Sequence, residues 1–216
     1  MTVAIVDYGS GNLHSAAKAF ERAARESGVT QPIVVTSSPE AVARADRIVL
    51  PGVGAFADCR RGLDSIDGMI EALNERVHKR GHPFLGICVG MQMLFDSSEE
   101  DDSAVGLGVI PGTIRWLGSE LPRPQMQWNL LTLNLSDDQM FVGLSSEAWV
   151  YFVHSLHAVP EDHAVIAATC TYGGVVNAAF RYGNVFATQF HPEKSGSWGI
   201  SLLGNFVRIA AGATKP

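Results

Sequence analysis

Phe84-Leu85-Gly86-Ile87-Cys88-Val89-Gly90-Met91-Gln92-Met93-Leu94-Phe95 joins a short apolar run to a segment with helical spacing. The pattern predicts a strand over 84–87 and a helix over 89–95. A strand that turns at once into a helix leaves no room for a Cβ two residues before or two after its apex, and Gly86 and Gly90 stand there. This is the geometry of a nucleophile elbow, with cysteine at the apex. Cys88 would then lie at the positive end of a helix, which favours a thiolate. The N–H of Val89 would point toward an oxyanion. Taken alone, a buried structural cysteine accounts for the pentapeptide about as well.

Outward from the elbow, the first half alternates short apolar runs with helical segments. Strands are expected at 3–7, 33–35 and 47–50, and helices at 12–27, 58–63 and 68–80. This alternation predicts a parallel sheet covered on both faces. The second half is mostly strand-like, at 109–114, 128–135, 149–153, 165–171, 175–181 and 184–189, before a closing helix at 200–210. Tyr172-Gly173-Gly174 and Arg181-Tyr182-Gly183-Asn184 sit where hairpin turns are needed. The expected fold is therefore α/β, three-layered, with a mostly parallel central sheet, helices on both faces and an antiparallel C-terminal extension.

Composition narrows the function. The chain has 216 residues, 46% hydrophobic and 18% charged, with 16 basic against 22 acidic residues. That is a globular composition without a basic patch, so nucleic-acid binding has no electrostatic footing. Glu99-Glu100-Asp101-Asp102 is the only acidic run, most simply a solvated loop. No apolar stretch is long enough to span a membrane, and the N-terminus lacks an export signal. Three cysteines without a CxxC pair argue against disulfides and a thiolate metal site. A reduced, soluble, cytoplasmic chain with no metal is expected.

A thiol nucleophile needs a base. Phe190-His191-Pro192-Glu193 supplies a candidate: Pro192 disfavours helix at His191, and residues two apart in an extended segment face the same way. Glu193 would hold one imidazole nitrogen while the other faces the sulfur. By itself, though, a histidine at a strand end beside a solvated glutamate is the commoner arrangement. His154 and His157 follow an apolar strand and are weaker candidates, as are His14, His78 and His82. Pro51-Gly52-Val53-Gly54 follows a strand, and its paired glycines leave the peptide free to reorient and offer a second oxyanion N–H; an ordinary turn is the plainer alternative. Tyr8-Gly9-Ser10-Gly11-Asn12-Leu13-His14 fails as a dinucleotide fingerprint, because His14 takes the third glycine position and no acid follows at the ribose position.

Together, Gly86-Ile87-Cys88-Val89-Gly90 and the late His191-Pro192-Glu193 resemble the class I, triad-type glutamine amidotransferases. Asp7–Leu13, Pro51–Gly54, Gly90-Met91-Gln92, Tyr151–Ser155 and Gln189–Ser195 extend the resemblance over nearly the whole chain. It implies one amidotransferase domain over 1–216 that hydrolyses glutamine through a γ-glutamyl thioester. Cys88 would be the nucleophile, His191 the acid and base, and Glu193 its orienting group. Val89 and the Gly52, Val53 and Gly54 backbone would form the oxyanion hole, and Gln92, Ser155 and Leu156 would bind substrate. No cofactor is implied. The implied partner is a (β/α)8-barrel cyclase subunit that takes the ammonia, in a heterodimer, docked near Asn12, Trp128, Asn129, Tyr151 and Lys194. The Val53 peptide is expected to point the wrong way until that partner is loaded.

One segment departs from the pattern. Members usually read Pro-His-Met-Gly-Trp-Asn where this chain has Pro124-Gln125-Met126-Gln127-Trp128-Asn129, and often have Tyr at Leu156. Alternatives are a glutaminase subunit of anthranilate or aminodeoxychorismate type, which usually has His at Met91 and lacks the Asp7–Leu13 opening; a related cysteine hydrolase of other amides; or a non-catalytic docking subunit.

Overall fold

The computed structural model describes residues 1–210. Its strands are β1 (Val3–Val6), β2 (Ile33–Thr36), β3 (Arg47–Gly52), β4 (Phe84–Cys88), β5 (Ser97–Ser98), β6 (Gly112–Trp116), β7 (Gln125–Leu130), β8 (Thr132–Leu133), β9 (Trp149–His154), β10 (Leu156–Pro160), β11 (Ile166–Thr171), β12 (Val175–Tyr182) and β13 (Val185–Thr188). The helices are α1 (Leu13–Glu26), α2 (Pro39–Arg44), α3 (Phe56–Asp64), α4 (Met69–Asn74), α5 (Val89–Gln92) and α6 (Gly196–Arg208). Eight strands form the main sheet in the order β2-β1-β3-β4-β13-β12-β11-β8. The first five run parallel, and the last three join antiparallel. This is the expected division between a parallel half and an antiparallel extension.

The four strands β1, β3, β4 and β13 are buried along their whole length. Near-continuous apolar runs of this kind fit a sheet covered on both faces. Right-handed crossovers decide which helix covers which face. The β1–β2 connection moves one way across the sheet, and the β2–β3 and β3–β4 connections move the other. α1 therefore lies on one face and α2, α3 and α4 on the opposite one. α6 joins α1, with Phe20 and Phe206 edge to face at 6.1 Å. Strand order reverses between β1 and β3, which opens a crevice at their carboxyl ends. Two smaller sheets, β10-β6-β5 and the β7–β9 ribbon, flank the main one.

Some boundaries differ from the expected pattern. The expected strand at 128–135 is two strands, because the chain leaves the β7–β9 ribbon at Leu131 and crosses to the edge of the main sheet as β8. The strand expected at 109–114 starts only at Gly112, after Pro111, which has no N–H to give a ladder. The helix expected at 89–95 is a four-residue α5 followed by a turn. That expected at 68–80 is α4 continued by a π-helical turn, Glu75–Lys79. α2, β5 and β10 are additional. α2 carried a readable start signal: Ser38 caps Ala41 N–H at 3.2 Å and Pro39 opens the first turn. Among the described residues no helix is long and apolar enough to cross a membrane.

The elbow glycines answer to sterics. A Cβ on Gly90 would overlap the Leu50 carbonyl oxygen, and one on Gly52 would come within 2.5 Å of Gly90 N. A Cβ on Gly86 would sit 2.9 Å from Met91 Cα. Backbone is meeting backbone here, so no side chain can give way. Gly90→Ala is expected to cost about 2 kcal/mol or more of stability, measured as a lower urea midpoint at unchanged m-value.

Candidate active site

The strand registers fix the site. β3 and β4 pair Gly52 with Cys88, and β4 and β13 pair Ile87 with Thr188. Gly52, Cys88 and Gln189 consequently form a row across the carboxyl edge of the parallel strands, with His191 two residues beyond. Cys88 has φ 55° and ψ −116°. It is the one non-glycine residue with positive φ among the described residues. Such a backbone is strained for an L-residue, and its place at a strand–helix apex is the mark of an elbow.

His191 and Glu193 are brought together as expected, by a different local path. Pro192 opens a 3-10 turn, Pro192–Lys194, in place of an extended segment. His191 Nδ1 lies 2.7 Å from Glu193 Oε1, with both side chains buried. The ring's Nε2 is buried and has no formed hydrogen bond. Burial alone pushes the ring's pKa down, but the adjacent Cys88 sulfur and then the Glu193 carboxylate hold it up at about 10. The turn is also stitched to β9 through main-chain groups. His191 N–H donates to Tyr151 O at 3.0 Å. Ser195 Oγ accepts from Tyr151 N–H at 3.1 Å and donates to His191 O at 2.6 Å.

A cavity of about 270 Å³ is lined by Cys88, Val89, His191, Val53, Gly54, Gln92, Ser155 and Leu156, together with Glu100 and His154. Gln92 Nε2 donates to Leu156 O at 3.3 Å and to Gln189 Oε1 at 3.1 Å. Because both partners can only accept, Gln92 turns Oε1 away from them. His154 Nδ1 lies 2.7 Å from Leu156 O, and burial pushes its pKa down to about 4, so the ring is neutral. Glu100 is one residue that the sequence reading missed. Within an acidic run it looked solvated, yet it lines the cavity, and its Oε2 accepts from Phe56 N–H at 2.6 Å. Only the fold, by bringing the loop after β5 beside α3, reveals it.

Both main-chain groups of Val53 are occupied. Its N–H donates to Ser10 Oγ at 3.0 Å, and its carbonyl accepts from the same hydroxyl at 2.6 Å. Cys59 Sγ also reaches Val53 O at 3.5 Å, and Tyr8 OH donates to Pro51 O at 2.6 Å. The loop after β1 thus holds the loop after β3. The Val89 N–H opens α5 beside Cys88 and carries no such tie to the Ser10 loop.

On the β7–β9 ribbon, cross-strand pairs put Met126 with Val153, Trp128 with Tyr151 and Leu130 with Trp149 on one face. Met126, Trp128, Leu130 and Trp149 are exposed, and Trp128 meets Tyr151 edge to face at 6.0 Å. Asn129 faces the other way, its Nδ2 donating to Thr171 O at 2.8 Å. Asn12 caps α1 by accepting from Ser15 N–H at 3.3 Å, and Lys194 is exposed beside His191. Gln125 and Gln127 both reach Asn129 Oδ1, so the two departures from the resembled motif share one polar cluster behind the ribbon. Among the described residues no group of three or more His, Cys, Asp or Glu is placed to hold a metal ion.

Comparisons with known proteins identify the family. The family model for glutamine amidotransferase class-I matches residues 4–210. The chain is 52% identical to an imidazole glycerol phosphate synthase subunit HisH of Rhodospirillum rubrum, over 97% of this chain and 100% of that one. It is 49% identical to the protein of the same name from Rhodopseudomonas palustris, over 96% and 99%. A solved glutamine amidotransferase superposes with a TM-score of 0.68 at 17% identity, covering 94% of this chain and 100% of that one; at that identity it speaks for the fold alone. By its sequence, its elbow and its sheet, the chain belongs to the class-I glutamine amidotransferase family.

Proposed function

We propose that this chain is the glutaminase subunit of an imidazole glycerol phosphate synthase, acting in histidine biosynthesis, and that Cys88, His191 and Glu193 carry its chemistry. The observation that carries the triad is the strained cysteine at the elbow beside a buried imidazole tied to a carboxylate. The names of the curated relatives favour this synthase over one of anthranilate or aminodeoxychorismate type.

Glutamine enters the cavity with its carboxamide toward Cys88. Glu100 and Gln92 Oε1, both acceptors, suit the α-ammonium, and the Ser155 hydroxyl with the Ser155–Leu156 N–H groups suits the α-carboxylate. The Cys88 thiolate adds to the carboxamide carbon, and Val89 N–H meets the oxyanion. His191, protonated at neutral pH, passes its Nε2 proton to the nitrogen, and the C–N bond breaks to give ammonia and the thioester. Acylation removes the sulfur's negative charge, so burial now draws the ring's pKa down. His191 then accepts a proton from water as the hydroxyl adds to the thioester, and glutamate leaves with thiolate and imidazolium restored.

The partner in this reading is the (β/α)8-barrel cyclase, which joins ammonia to a phosphoribulosyl formimino carboxamide nucleotide. It releases imidazole glycerol phosphate and an aminoimidazole carboxamide ribonucleotide. The exposed apolar stripe of Met126, Trp128, Leu130 and Trp149 supports a protein partner on the ribbon, and Val153 and Pro124 carry that face to the cavity. The bonds from both main-chain groups of Val53 to Ser10 support the switch. The Val53 N–H stays with Ser10 until the loops separate, and one oxyanion donor is worth about 3–4 kcal/mol.

With the cyclase present, Cys88→Ala is expected to abolish glutamine-dependent product formation while added ammonia still supports it; retained glutamine use would overturn the nucleophile. In the isolated chain, Ser10→Ala is expected to raise glutaminase turnover at least several-fold, and an unchanged rate would refute the latch. NMR titration of the His191 ring should show its proton held through neutrality and lost near pH 10. Cys88→Ala should lower that midpoint. Since the ring's pKa is raised above its ordinary 6.5, its contribution to stability is complete below pH 6.5 and fades as pH rises through about 10.

A further inference from the structure

The geometry points to Gln189 as a neutral hydrogen-bond donor to the Cys88 thiolate, held in that orientation by Gln92. This rests on the reading of Cys88 as the nucleophile. Gln189 is fully buried, and its Nε2 lies 3.7 Å from Cys88 Sγ. Register puts it there: Thr188 is level with Ile87, so the next residue of each strand is adjacent across the ladder.

A chain of forced choices sets the direction of its amide. The Leu156 carbonyl can only accept, so Gln92 must present Nε2 to it. The second N–H on that nitrogen needs an acceptor, and Gln189 answers with Oε1. Its own NH2 is thereby aimed at the sulfur. A donor fixed in this way favours the thiolate over the thiol, because hydrogen bonds to a charged acceptor are stronger than those to a neutral one. Unlike His191, it gives up no proton, so it steadies the sulfur through both halves of the reaction. Gln92 is a positioning residue here. It edges the cavity on one side and orients the amide that contacts the nucleophile on the other, which couples occupancy of the cavity to the sulfur.

The test is alkylation of Cys88 by iodoacetamide in the full-length chain from pH 5 to pH 10, followed on the Cys88 peptide by mass spectrometry. Gln189→Met keeps the length and loses the donor. Gln189→Glu keeps an acceptor for Gln92 and sets a second oxygen against the sulfur. Gln189→Met is expected to slow alkylation at pH 6 about tenfold, while the alkaline plateau is unchanged, so that the acid limb moves to higher pH. Gln189→Glu is expected to slow it further. Lower thermal stability with superimposable pH profiles would make Gln189 a packing residue and overturn the proposal, as would failure of both variants to fold. If Cys88 of the unsubstituted chain reacts at pH 6 no faster than free cysteine, the reading of Cys88 as an activated nucleophile falls as well.

Discussion

Backbone-to-backbone contact between β3 and the start of α5 governs the carboxyl edge of the sheet. Leu50 O and Gly52 approach Gly90 so closely that neither glycine tolerates a Cβ. This contact lets β3, β4 and β13 end level with one another, and it is why Cys88 emerges at φ 55° beside Gly52 and Gln189. Move β3 outward by the width of a methyl group and the row dissolves. Cys88, the Gly52–Gly54 loop and the His191 turn all hang from three strand ends whose alignment is set by the absence of side chains.

The parallel half of the fold was legible because its strands are continuous apolar runs and its helices have clear starts. Asn12 and Ser27 bracket α1 as the spacing predicts, and the glycine turns at 172–174 and 181–184 close the hairpins of β11–β12 and β12–β13. The antiparallel half was harder. Its strands distribute among three sheets, and no local pattern tells Leu130 from Thr132 when one belongs to a ribbon and the other to the main sheet. The short α2 was available in Ser38-Pro39 and was passed over. Tertiary packing, not propensity, decides where α5 stops.

The site divides in the same way. Cys88, His191 and Glu193 were readable because elbow glycines and a proline mark the backbone around them. Glu100 and Gln189 were not, since their contributions exist only across 44 and 101 positions of sequence, to Phe56 and Cys88. Ser10 belongs with them. Its loop was read as a failed dinucleotide turn, and its contact with Val53 is a property of two loops meeting at the point where strand order reverses.

The stitches between β9 and the histidine turn run entirely through peptide groups of Tyr151 and His191, with one serine hydroxyl between them. Force applied to the ribbon is therefore transmitted to the imidazole by the main chain. The side chains that decorate the ribbon's outer surface are mechanically idle in that transmission. They can differ without touching the hydrogen bonds that fix the backbone from which the ring projects.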